Sequence, residues 1–275
     1  MSIISACKFF GVSRSGYYKY LLAKRNKATL TETMVMDSIK AIYIKSKGRY
    51  GYRRIRDTLT SKQGMVISYK KVLRLMRKLG LKSRIRKKRN FFGNENLLAA
   101  NILNREFQSN LPNRKLVTDI TYLKVRGVNY YLSVIYDLFN NEVKSYELSK
   151  YNDNPLVIET IKRAFPSMSN DQLILHSDQG SQYTSIAYTS LLKSLGITKS
   201  MSRKGNCLDN ACIESFFGHL KSESIYLEQI STYEELKLLI DEYIYFYNND
   251  RIQRKLRKMA PIEYRNHFES TRGFL

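Results

Sequence analysis

Three acidic residues have the type and setting for metal chemistry: Asp119 in LVTDITYLKV, Asp178 in LILHSDQGSQYTS and Glu214 in DNACIESFFGHLKSE. Thirty-five residues lie between the last two. Asp119 and Asp178 stand at or just beyond apolar, β-rich runs, and Glu214 stands on an expected helix. Carboxylates converging from two strands and a helix make an oxygen-rich site. Such ligands suit Mg²⁺, which is held by a few carboxylates and keeps room for phosphate and water. Two such ions about 3.5–4 Å apart clamp the attacking and leaving oxygens of a phosphoryl transfer. Asp119 and Asp178 would share the ions and Glu214 would complete the second site. Taken singly, each acid has an ordinary reading, because a strand-end Asp commonly closes a turn and a helical Glu commonly faces water.

Several neighbours could assist. Lys221 follows Glu214 by seven residues, or two helical turns, so both project from one face. A cation there could hold a phosphate, while Phe217 between them reads as core. His176 and Gln179 flank Asp178, and His176 reads equally as a DNA contact or a buried strand-end residue. Ser202, Arg203 and Lys204 form a short basic loop suited to phosphate. Asn206, Asp209 and Asn210 precede the Glu214 helix, where local capping competes with DNA contact or support of the site. Asp137 reads as a turn residue. Cys207, Cys212 and His219 lack the C-x-x-C spacing and second ligand pair of a zinc site. No G-x-x-x-x-G-K-[ST] loop is present, so nucleotide hydrolysis is not indicated.

The elements that must position these residues begin at Lys115. Leu116–Val125, Asn129–Phe139 and Val143–Ser149 read as three β-runs joined by short turns. Pro155–Ala164 reads as a helix, Leu173–His176 as a short apolar strand, Ser185–Leu195 as a helix stopped by Gly196, and Ile197–Ser200 as a fifth strand. Asp209 or Asn210 caps the helix of Glu214. Ser231–Asn248 is a tyrosine-rich helix, followed by basic RIQRKLRKM and Pro261. A meander followed by alternating helices and strands is a mixed α/β order.

Charge separates a second region from this one. The net charge is +23, yet residues 1–100 hold 25 Lys and Arg against 4 acids, and the other 175 hold 22 against 20. That asymmetry reads as a nucleic-acid-binding part joined to a near-neutral catalytic part. A short N-terminal helical segment covers 1–28, with Gly11 in a turn and Ser13 as a cap. Residues 29–81 read as a helix-turn-helix-like DNA-binding region: Met34–Ser46, Tyr50–Leu59, and Tyr69–Leu79 capped by Ser68. In the third helix Tyr69, Val72, Leu73, Met76 and Leu79 form an apolar side. Lys70, Lys71, Arg74, Arg77 and Lys78 cover the other, as a helix in a major groove requires; a solvated basic face is the plainer alternative. Nearby GRYGYRRIR adds three arginines beyond Arg49. Lys82–Arg89, including Arg86, Lys87, Lys88 and Arg89, carries six basic residues in eight and reads as an arm that follows phosphates. It opens a basic linker over 82–112, and 113–275 is the catalytic core with a C-terminal helical extension. Three cysteines, no leader-type segment and no long apolar stretch read as a reduced, cytoplasmic protein without membrane contact. No heptad run or internal repeat stands out.

The stretches TDITYL, HSDQGSQY, GNCLDNACIESFFGHLKSE and YNNDRIQRKLRKMAPIEYR resemble the DDE core of the IS3-family insertion-sequence transposases, in particular the second-frame protein of the IS150-like branch. The likeness extends over nearly the whole chain. It implies a ribonuclease-H-like fold of retroviral-integrase type, preceded by a small all-α helix-turn-helix-like region. It also implies Asp119, Asp178 and Glu214 as metal-binding catalytic residues, two Mg²⁺ ions with Mn²⁺ as a substitute, and a basic residue at the position of Lys221. The activity implied is DNA cleavage and strand transfer. The partners implied are terminal inverted repeats, target DNA, further copies of the chain and an upstream-frame helix-turn-helix protein. A nuclease that cuts without joining and a silent DNA-binding regulator are the alternatives. Relatives often carry Trp shortly before the first Asp; here Leu116 and Val117 precede Thr118, and the chain has no Trp.

Overall fold

Serine side chains set where three helices of the N-terminal unit begin. Ser2 caps α1 (Ile3–Phe9), Ser13 caps α2 (Arg14–Lys45) at the Gly16 N–H, and Ser68 caps α4 (Tyr69–Lys78) at the Lys71 N–H. Each oxygen accepts from an amide that the first helical turn leaves without a partner. α3 (Tyr52–Gln63) instead ends at Gly64, whose φ of 65° is the left-handed form open to glycine. The computed structural model describes residues 2–85, 109–167, 173–202 and 211–272, without the side chains of 22–31. It divides into two compact units, Met1–Arg84 and Ile85–Leu275.

In the first unit α2, α3 and α4 pack through Ile39, Ile42, Ile55, Leu59, Val72, Leu75 and Met76, all buried. α2 runs unbroken across residue 28, where a separate leading segment was expected to end. Nothing between Gly16 and Gly48 is Gly or Pro, so no residue stops it. The basic arm also starts later than expected. Tyr43 Oη donates to the Lys82 carbonyl at 2.7 Å, Ser83 Oγ to the Arg49 carbonyl at 3.1 Å, and the Arg84 N–H to the Gly48 carbonyl at 2.9 Å. Lys82–Arg84 are therefore docked on the turn after α2. Arg86, Lys87, Lys88 and Arg89 lie outside the described residues.

The second unit is built on a five-stranded sheet in the order β3-β2-β1-β4-β5. β1 (Lys115–Val125), β2 (Val128–Asp137) and β3 (Val143–Ser149) form the expected antiparallel meander. β4 (Ile174–Ser177) lies parallel to β1, and β5 (Thr198–Met201) parallel to β4. This mixed order is ribonuclease-H-like. α5 (Asn154–Ala164), the short α6 (Ser181–Thr184) and α7 (Ile186–Ser194) follow β3 and β4. Val157, Ile161, Tyr188 and Leu192 from these helices close a core with Leu116, Ile135 and Leu175 from the sheet. Leu116 and Val117 are 1% and 0% exposed, so the stretch without Trp is packed. Tyr136 alternates to the opposite face, where α8 (Ala211–Glu223) and α9 (Tyr233–Asn249) lie. α10 (Pro261–Arg272) closes the chain.

Candidate active site

The parallel β1–β4 ladder leads toward two of the three acids. Leu116 pairs with Leu175 and Val117 with His176 across the parallel β1–β4 ladder. Two residues beyond the last pair come Asp119, still on β1, and Asp178, just past the end of β4, and the charge of Asp178 acts on Asp119. Leu116 and Leu175 point into the core under α5 and α7. Alternation therefore sends Val117, Asp119 and His176 to the other face, where α8 packs on β1.

Local bonds aim the carboxylates. Asp119 Oδ1 accepts the Ile120 N–H at 2.8 Å, and Asp178 Oδ1 accepts the Gly180 N–H at 2.9 Å. A Cβ at Gly180 would stand 3.0 Å from Asp178 Oδ1, so a larger residue there would press on that carboxylate. Gln179 Nε2 donates to the Ser202 carbonyl at 3.0 Å, tying that turn to the end of β5.

Glu214 stands exposed in the first turn of α8. The helix is pinned along its length. The Phe216 ring lies 5.7 Å from Tyr136 and 4.9 Å from Tyr247, whose hydroxyls bond at 3.1 Å. At the far end Glu223 accepts Arg251 Nε and Nη2 at 2.8 and 2.7 Å and the Tyr243 hydroxyl at 3.2 Å, all buried.

Burial pushes the Asp119 carboxyl up to about 7; the Ile120 N–H opposes this, and the like charges of Asp178 and Glu214 add to it. Loss of surrounding water also raises Glu214. A half-buried carboxylate beside two others resists ionising. An all-oxygen donor set of this kind fits a hard divalent cation. Among the described residues no three His, Cys, Asp or Glu side chains already stand close enough to hold an ion.

Lys221 lies where its spacing from Glu214 suggests, half-buried, with Nζ 5.0 Å from the centre of the Tyr122 ring. Burial lowers its pKa. Tyr122, 61% exposed on β1, escaped the sequence reading because it becomes a neighbour of Lys221 only when α8 packs on the sheet. His176 is a buried strand-end residue: it is 2% exposed, and its Nδ1 lies 3.0 Å from Ser200 Oγ on β5. Asp137 is buried and accepts the Asn113 and Phe139 N–H groups at 2.8 Å each, holding the entry to the sheet. Phe217 is core. Cys212 is half-buried, and His219 faces Glu223 at 3.8 Å. Arg203, Lys204, Asn206, Cys207, Asp209 and Asn210 lie outside the described residues.

In the first unit Lys70, Lys71, Arg74, Arg77 and Lys78 are all exposed on α4, opposite buried Val72, Leu75 and Met76. Arg74 and Lys78 are ion-paired with Glu32 of α2.

Residues 30–89 match the family model described as HTH-like domain, and residues 109–207 and 214–268 match two models described as Integrase core domain. Over 258 residues the chain is 45% identical to the putative transposase InsK for insertion sequence element IS150 of Escherichia coli (strain K12), covering 93% of this chain and 90% of that protein. The chain belongs to the IS3-family insertion-sequence transposases. It is also 31% identical over 272 residues to the transposase InsF for insertion sequence IS3A of the same organism, with 96% and 94% covered. The HTLV-2 integrase catalytic core domain in complex with magnesium overlays loosely, with a TM-score of 0.44 and 18% identity over 57% of this chain and 98% of that one. As an IS3-family member with an integrase core, this transposase is a polynucleotidyl transferase of DDE type with a DNA-binding helix-turn-helix-like region. No helix among the described residues is long and apolar enough to cross a membrane.

Proposed function

We propose that this transposase cuts DNA strands at the terminal inverted repeats of its element and joins them to target DNA, with Asp119, Asp178 and Glu214 as the catalytic, metal-holding residues. The observation that supports this most is that the β1–β4 ladder leads to Asp119 and, just past β4, to Asp178, and that the charges of Asp178 and Glu214 both act on Asp119. When bound, two Mg²⁺ ions, or Mn²⁺ in their place, would activate a water or a 3′-hydroxyl and neutralise charge on the phosphorane-like transition state. Asp119 and Asp178 hold the shared side of the site, and Glu214 closes it from α8. The Asp178–Gly180 and Asp119–Ile120 bonds keep one oxygen of each aspartate fixed. Lys221, resting on the Tyr122 ring, holds a phosphate of the DNA end.

DNA is held chiefly by the first unit, through Lys70, Lys71, Arg74, Arg77 and Lys78 on α4. Arg86, Lys87, Lys88 and Arg89, and Arg203 and Lys204, add phosphate contacts. Two ends must be handled together, which calls for more than one copy of the chain, and an upstream-frame helix-turn-helix protein is a further partner. The test uses the full chain, a labelled duplex ending in the element's inverted repeat, target DNA and Mg²⁺. Cleavage and a joined product are expected, both lost with chelator. Cleavage without joining would make it a nuclease; binding without cleavage would make it a regulator.

A further inference from the structure

One acid interrupts the basic face of α4. Glu32, on α2, accepts Arg74 Nη2 at 3.0 Å and Lys78 Nζ at 3.2 Å. Arg74 and Lys78 stand one helical turn apart and are 59% and 61% exposed, while Glu32 is 24% exposed. The two cations hold the Glu32 carboxyl below its ordinary range. Lys70, Lys71 and Arg77 on the same helix have no acidic partner among the described residues.

An acid at this place works against simple attraction to phosphate. It cancels charge on a helix that would otherwise bind any DNA backbone through its cations. It also does something a solvated surface would not. Arginine carries five N–H donors in a rigid fork and can read guanine O6 and N7 with two of them. A carboxylate gripping the Nη2 edge fixes the guanidinium and leaves its remaining donors free to point outward. A swinging arginine would lose more conformational freedom for each base contact it makes. Lys78, shared by the same carboxylate, holds Glu32 from the other side.

We propose that Glu32 is a specificity-determining residue of the DNA-binding unit, orienting Arg74 for base reading while lowering attraction to phosphates of any sequence. This rests on the reading of α4 as the DNA-facing helix.

The test compares the full parent chain with Glu32→Gln, Arg74→Ala and the double variant. The probes are the duplex that the parent selects from a randomised pool and a scrambled duplex of the same composition. Gln keeps the size of Glu32 and an acceptor oxygen but removes the charge. For Glu32→Gln, affinity for the scrambled duplex should rise about threefold, with a steeper salt dependence, as two cations are released. The ratio of selected to scrambled affinity should fall about tenfold, the scale of one arginine–base contact. In the Arg74→Ala background Glu32→Gln should leave the ratio unchanged, because its effect on the ratio passes through Arg74. A Glu32→Gln ratio equal to that of the parent, with both affinities raised alike, would overturn the proposal and leave Glu32 a screening charge. So would a fall in the ratio that persists in full without Arg74. A parent chain that selects no sequence would instead defeat the reading of α4, and the Glu32 role with it. Superimposable far-ultraviolet circular dichroism and melting curves of the variants separate these outcomes from misfolding.

Discussion

Asp119→Asn should abolish catalysis and yet stabilise the protein in chelator. The carboxyl of Asp119 is raised from 3.8 to about 7, mainly by burial and further by Asp178 and Glu214. That is roughly three units, and at about 1.4 kcal/mol per unit the upper bound is about 4 kcal/mol. Asp119 is only half-buried, so water screens part of this, leaving about 1–2 kcal/mol. The sign follows from proton binding. The folded carboxyl keeps its proton up to about pH 7, whereas the unfolded one loses it near pH 4. Between those values the folded chain binds more protons, so stability falls as pH rises through that window and is lowest above pH 7. Asn does not titrate, is nearly the same shape and can still accept the Ile120 N–H. In EDTA at pH 8 the variant should melt about 3–6 °C higher than the parent, and the gap should close as pH is lowered toward 4. A parent as stable as the variant at pH 8, or a gap that widens on acidification, would refute the reasoning.

Two further perturbations probe the supports of the site. Arg251→Met leaves Glu223 buried without its bidentate partner and should cost about 3–5 kcal/mol by urea unfolding; Glu223→Leu added to it should restore most of that loss, and no restoration would mean the pair is not the source. Gly180→Ala places a Cβ 3.0 Å from Asp178 Oδ1; cleavage should fall at least about tenfold while the melting temperature changes little, and unchanged cleavage would show that the orientation of Asp178 does not depend on this turn.

The parts of the fold legible in the sequence were those fixed by local rules. Ser68 marks the start of α4 because a capping serine is a local event, and the limits of β3 emerge as Val143–Ser149 because turn residues bound a β-rich run. The three acids stand out in the sequence because their order and surroundings are distinctive, and Lys221 because helical spacing is fixed; their roles remain proposals. What was not legible depends on packing between distant segments. Glu32 meets Arg74 across 42 residues, and Glu223 meets Arg251 across 28. Tyr122 meets Lys221 only when α8 reaches β1. His176 could not be assigned until β5 paired with β4 and buried it against Ser200. The length of α2 was not read because apolar periodicity is weak along it, while the absence of any breaker between Gly16 and Gly48 was the stronger signal.

The central claim is that three carboxylates on two strands and a helix perform the chemistry together. Asp119→Asn, Asp178→Asn and Glu214→Gln, each compared with the parent in Mg²⁺ on a labelled terminal-repeat duplex, test it most directly. Each variant should bind the duplex with affinity close to that of the parent, because α4 and its charge are untouched, and yet give neither cleaved nor joined product. Parent-like cleavage by any one of the three, with Mg²⁺ present and binding intact, would contradict the account.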